Sequence, residues 1–126
     1  MRRFLIGAAL AAMLAGQVAA QDAGTAIRGV IQQQFDAFEA DDFVGAFAHA
    51  SPTIRRMFGT PENFGRMVVT GYPMVWRHQS VQFTGLEERG GRFYQNVLIT
   101  DGGGALHILE YEMIRTGDGW QINLSL

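Results

Sequence analysis

Three histidines, His49, His78 and His107, are the side chains here whose ordinary pKa lies near neutrality. No two of them stand at a metal-chelating spacing, and no HExxH pattern occurs, so neither a metal nor a cofactor is expected. His107 lies in "ALHILEYEMIR", and Tyr111 follows it four residues later. In a strand that spacing places both side chains on one face, with Tyr94 or Asn96 of "RFYQNVLIT" on the neighbouring segment. A general base there would need a perturbed pKa and a substrate within reach. His107, Tyr111 and Tyr94 are the catalytic candidates, and His107, Tyr111 and Asn96 the candidate lining of a pocket. The commoner fate of such a pair is a hydrogen-bonded place in a small core.

Other reactive residue types have structural explanations. Ser51 and Thr60 each precede a proline, in "SP" and "TP". Both read as helix N-caps, with Pro52 and Pro61 at the first helical position, where no backbone donor is needed. "ASPT" lacks the glycine frame of a nucleophile elbow, so a catalytic Ser51 is disfavoured. Asp41 and Asp42 fall where a second helix begins and Asp36 lies beside an apolar stripe, which makes capping and surface roles sufficient. Arg55, Arg56, Arg66 and Arg77 give this half a basic bias, a weak basis for an anion site.

The elements that would position these residues fall into two halves. Ile27, Val30, Ile31, Phe35 and Phe38 recur at steps of three and four, one stripe of a helix. Further helices carry Phe43 and Phe47, then Pro52 to Gly59, then Phe64, Met67 and Val68 up to Gly71. After Arg77 the period becomes two. "SVQFTGL", "RFYQNVLIT", "ALHILEYEMIR" and "WQINLSL" are joined by "EERGG", "DGGG" and "TGDG", an antiparallel meander. The alternation Trp120, Ile122, Leu124 predicts a core face beneath Phe35, Phe47 and Phe64. On the third strand Ala105, His107, Leu109, Tyr111 and Met113 should face inward, with Leu106, Ile108, Glu110, Glu112 and Ile114 outward. Helices first and sheet second give an α+β class. Apolar residues on the outer face point to a homodimer formed through the sheet.

The ends and totals narrow the rest. "MRR", then "FLIGAALAAML", then "AGQVAAQD" has the layout of a secretory signal peptide, residues 1–20, leaving 21–126 as a single domain. The apolar run is shorter than the ~20 residues of a membrane span, so no membrane association is expected after cleavage, and the location is periplasmic or secreted. No cysteine is present, which excludes thiol catalysis, thiolate metal sites and disulfides. All ten basic residues are arginine, and two precede the cut, leaving eight against twelve acids. Lacking lysine and mildly acidic, the chain excludes Schiff-base and P-loop chemistry and is a poor nucleic-acid binder.

Three or so helices followed by a curved meander closing on "GDGWQI" resemble the nuclear transport factor 2-like, cystatin-like superfamily. "AFAHASPTIRRMFGTPENFGRMV" with "GYPMVW" closely resembles the bacterial family described as domain of unknown function 4864, from Ile27 to Leu126. His49 departs from the apolar or aromatic residue of that pattern, which argues against a shared catalytic histidine. The resemblance implies a cone-shaped fold, helices packed on a curved four-stranded sheet, and carries no activity. Two function classes follow: a non-catalytic module binding a small molecule or a protein partner, which is preferred, and a cofactor-free isomerase or dehydratase using His107 and Tyr111. An open pocket with His107 facing a carboxylate or tyrosine would favour the enzyme.

Overall fold

Serine, threonine and proline divide the helical half where their chemistry requires it. In the computed structural model, which describes residues 22–125, a first helix α1 covers 22–39. The expected signal segment, 1–20, lies outside the described residues, as does Leu126. Asp41 follows α1 with φ 55°, a left-handed conformation that aspartate tolerates better than most residues. Asp42 then caps α2 (Phe43–Ala48), accepting from the Gly45 amide at 2.9 Å. Ser51 caps α3 (Pro52–Phe58) through the Ile54 amide at 3.2 Å, and Thr60 caps α4 (Pro61–Gly71) through the Asn63 amide at 3.1 Å. A single turn, α5 (Pro73–Trp76), leads into the sheet.

The sheet is a four-stranded antiparallel meander in the order β1 (His78–Arg89), β2 (Arg92–Asp101), β3 (Leu106–Thr116), β4 (Gly119–Ser125). Gly90 and Gly91 both have positive φ, 58° and 80°, as the two-residue turn between the Arg89–Arg92 pair demands. Register shifts in β1 between Phe83 and Leu86, and beside Glu112 in β3, bend the strands. The sheet is open, with β1 and β4 at its edges.

The stripe of α1 does what its spacing requires: Ile27, Ile31, Phe35 and Phe38 are fully buried against the inner face of the sheet, with Val97, Ile99, Leu109, Tyr111, Met113 and Ile122. Gly65 lets α4 lie close on α2, because a Cβ there would stand 2.5 Å from the Phe43 ring. Leu106 and Ile108 face outward as expected, 67% and 73% exposed.

Two sequence expectations are corrected here. Ile122 is in the core, but Trp120 is only half-buried and packs edge-on against Phe93 at 5.2 Å rather than under Phe35, Phe47 and Phe64. The irregularity beside Asn123 also breaks the alternation, so Leu124 pairs with Glu112. Glu112 itself is buried, not solvent-facing. It accepts from Arg92 Nη1 at 2.8 Å, Tyr94 Oη at 3.0 Å and Asn123 Nδ2 at 2.8 Å.

Candidate functional site

Two depressions flank α5, and they share no lining residue. The first is a cavity of about 190 Å³ between α1, α3, α4 and the sheet. Its walls are Ile54, Met57 and Phe58 of α3, Phe64, Met67 and Val68 of α4, and Val75, with Ala50 and Ile122 where the chain crosses β4. α3 ends after two turns at Gly59, φ 79°, and the chain restarts at the Thr60 cap of α4.

Polar groups of the cavity come from Gln34, Tyr72 and Tyr111. Gln34 is buried within the apolar stripe of α1, and its Nε2 donates to the Ala46 carbonyl at 3.1 Å. Tyr111 is also buried, its ring 6.0 Å from Phe35. Among the described residues no Asp, Glu, Arg or His side chain lines this cavity. A charged guest would lose its hydration without a compensating partner, at a cost that excludes it.

The second depression, about 220 Å³, is a shallower groove lined by Pro73, Met74, Trp76 and Arg77 with Asp101, Gly102 and His107. His107 Nε2 lies 2.8 Å from Asp101 Oδ2. Asp101 Oδ1 accepts from the amides of Gly103 and Ala105, both at 2.9 Å, so the carboxylate is fixed by its own turn. The hydrogen bond from His107, followed by that of Ala105, holds the Asp101 carboxyl below the usual carboxylate range. Arg77 is fully committed elsewhere. Its two terminal nitrogens donate to Asp41 and to the carbonyls of Phe38, Glu39 and Trp76.

The sequence candidates thus disperse. Tyr111 lines the cavity and His107 the groove, four residues and about 13 Å apart along β3. Tyr94 and Asn96 belong to neither. They alternate with buried Gln95 and Val97 and pair with Glu112 and Glu110 on the outer face. There Arg89 lies 3.8 Å over the Tyr94 ring, and the hydrogen bond to Glu112 pushes the Tyr94 hydroxyl pKa up. Ser51 and Thr60 are caps, and Ser51 Oγ also donates to Asn123 Oδ1 at 2.7 Å. His49 terminates α2, partial burial lowering its pKa, and His78 packs edge-on to Phe35 at 5.2 Å. Among the described residues no three His, Asp or Glu side chains form a metal set.

Sequence reasoning missed two residues. Gln34 was visible as the one polar residue at a stripe position, between Ile31 and Phe38. Asp101 was absorbed as a turn former in "TDGGGA", a role it also fills.

Helices laid on one face of an open antiparallel sheet define an α+β domain. The same architecture occurs in the solution structure of a SEC-C motif-containing protein from Rhodopseudomonas palustris, with 14% identity, a TM-score of 0.54, and 77% of this chain and 74% of that one covered. At that identity the likeness concerns the fold alone. The chain belongs to the family described as domain of unknown function (DUF4864), whose model matches residues 19–124. No curated protein matches.

Proposed function

We propose that this protein is an exported, non-catalytic module that binds a small, neutral, largely apolar molecule in the cavity between α3, α4 and the sheet. The observation that carries the reading is the cavity itself: about 190 Å³, uncharged, with Gln34 and two tyrosines as its polar groups. An apolar cavity of about 150 Å³ is enough to take up benzene. The polar atoms within reach of a guest's hydroxyl or amide are those of the Gln34 and tyrosine side chains in the lining. Export rests on the "MRRFLIGAALAAML" leader, and the recovered chain should begin near Gln21.

The test is thermal. Cyclohexanol and benzyl alcohol should raise the melting temperature of the wild type, and Val68→Phe, which fills the cavity, should remove that response. A guest at about a hundred times its Kd adds about 2.7 kcal/mol. Equal responses from wild type and Val68→Phe would sink the proposal.

Separation of His107 from Tyr111 leaves the isomerase or dehydratase reading without a shared site. A second binding reading is pairing of two copies through the outer face of the sheet. It is supported by Leu106 and Ile108, 67% and 73% exposed on adjacent outward positions of β3. Under a twofold axis each substitution acts twice, so Ile108→Glu should convert a light-scattering mass of two subunits to one. A single-subunit mass for the wild type contradicts it.

A further inference from the structure

We infer that the guest of the cavity is an alcohol, and that Gln34 Oε1 selects it by accepting the hydrogen bond of the guest's hydroxyl. This selectivity rests on the cavity being a binding site, as proposed above. Gln34 lies in α1 between Ile31 and Phe38, buried positions of the apolar stripe, and is itself 4% exposed. A buried amide costs stability unless its polar atoms find partners. Nε2 has one, the Ala46 carbonyl at 3.1 Å. That bond also settles which end of the amide is which, because a carbonyl accepts only from the nitrogen.

Oε1 therefore faces away from Ala46, and it has no hydrogen-bond partner among the described residues. His78 Nδ1 and Gln95 Oε1 are the described side-chain atoms that are both buried and without a partner. Gln34 Oε1 does not join them, because it keeps access to the cavity that Gln34 lines. Nor does α2 depend on the glutamine. The Ala46 carbonyl already accepts from the His49 amide at 3.3 Å and would stay paired beside an apolar side chain. What Gln34 adds is an acceptor presented to the cavity.

An amide oxygen accepts and cannot donate, so the guest must bring the proton. The tyrosine hydroxyls of the lining can donate or accept and set no such requirement. An ammonium group would bring protons together with a charge, which the uncharged lining excludes. A guest amide carries its donor and its acceptor on separate atoms and needs a partner for each. A hydroxyl meets Oε1 with one atom. A ketone would set its own oxygen against Oε1, leaving two desolvated acceptors with no proton between them.

Cyclohexanol and cyclohexanone are similar in size, with a hydroxyl in one and a carbonyl in the other. Both are titrated calorimetrically into the wild type, Gln34→Met and Gln33→Met. The wild type should bind the alcohol about tenfold or more tighter than the ketone. Gln34→Met, similar in length but without the acceptor, should bring the two affinities together. Gln33→Met, at an exposed position of α1, should keep the preference. In the wild type the Gln34 Cδ resonance should move downfield on saturation with cyclohexanol and not with cyclohexanone, a readout independent of whether any variant folds. Equal affinities in the wild type, a preference that survives Gln34→Met or is lost equally in Gln33→Met, or a Cδ resonance that cyclohexanol leaves in place would each overturn selection by Gln34 and leave the cavity reading standing. Saturable binding of neither compound would overturn both.

Discussion

Replacing Ser51 by alanine removes two hydrogen bonds made by one buried hydroxyl. As acceptor, Oγ takes the Ile54 amide at 3.2 Å and caps α3; as donor, it reaches Asn123 Oδ1 at 2.7 Å across to β4. The first loss is an ordinary N-cap deletion, about 1 kcal/mol. The second leaves a part-buried acceptor without its donor, about 1–2 kcal/mol more. Asn123 in turn donates to Glu112 at 2.8 Å, so the change also loosens the support of a buried carboxylate. A total of about 2–3 kcal/mol is a large fraction of the ~5–15 kcal/mol a domain holds. At about 4–8 °C per kcal/mol it lowers Tm by roughly 10–20 °C. Urea melts of wild type, Ser51→Ala, Asn123→Ala and the double variant measure both terms, since groups in contact show a coupling energy. Thr60→Ala is the internal standard, an exposed cap with a single bond, worth about 1 kcal/mol. If Ser51→Ala costs no more than Thr60→Ala, or the cycle is additive, the cross-link from α3 to β4 carries no energy and the reasoning fails.

The Glu112 carboxyl, held low first by its hydrogen bond from Arg92, has a folded-state pKa below its unfolded one. Its stabilisation is complete above the unfolded value of about 4.3 and is lost as pH falls through the folded value. Urea melts stepped downward from about pH 6 should therefore show a flatter acid limb for Glu112→Gln than for the wild type, and parallel limbs would refute the assignment. Gly65→Ala should destabilise by about 1–3 kcal/mol, because its methyl would stand 2.5 Å from the Phe43 ring. Helix propensity alone would reward that substitution by about 1 kcal/mol, so a rise in Tm would show that α2 and α4 do not approach as described.

How far the sequence could be read depended on the range of each interaction. Local chemistry was legible: the Ser51 and Thr60 caps, the 27–38 stripe and the Gly90–Gly91 turn each depend on neighbours a few residues away. Alternation on β3 correctly separated Tyr111 and Met113 from Leu106 and Ile108. The failures are long-range. A one-residue irregularity at Asn123 breaks the alternation of β4, and no pattern in "WQINLSL" announces it. Glu112 reads as a solvated acid until Arg92, Tyr94 and Asn123 are brought around it from two other strands. His107 and Tyr111 share a face, yet α5 stands between their two depressions, so a common face did not make a common site.

The central claim is that the cavity takes a small neutral guest, and methyl-resolved NMR reads it directly. With Ile, Leu, Val and Met methyls labelled, titration with cyclohexanol should move the resonances of Ile54, Met67, Val68 and Ile122 together along one saturable curve. Cyclohexanecarboxylate, of similar size but charged at neutral pH, should leave them in place, as the uncharged lining requires. Shifts confined to Leu106 and Ile108 on the outer face, or no saturation at any cavity methyl, would contradict the account.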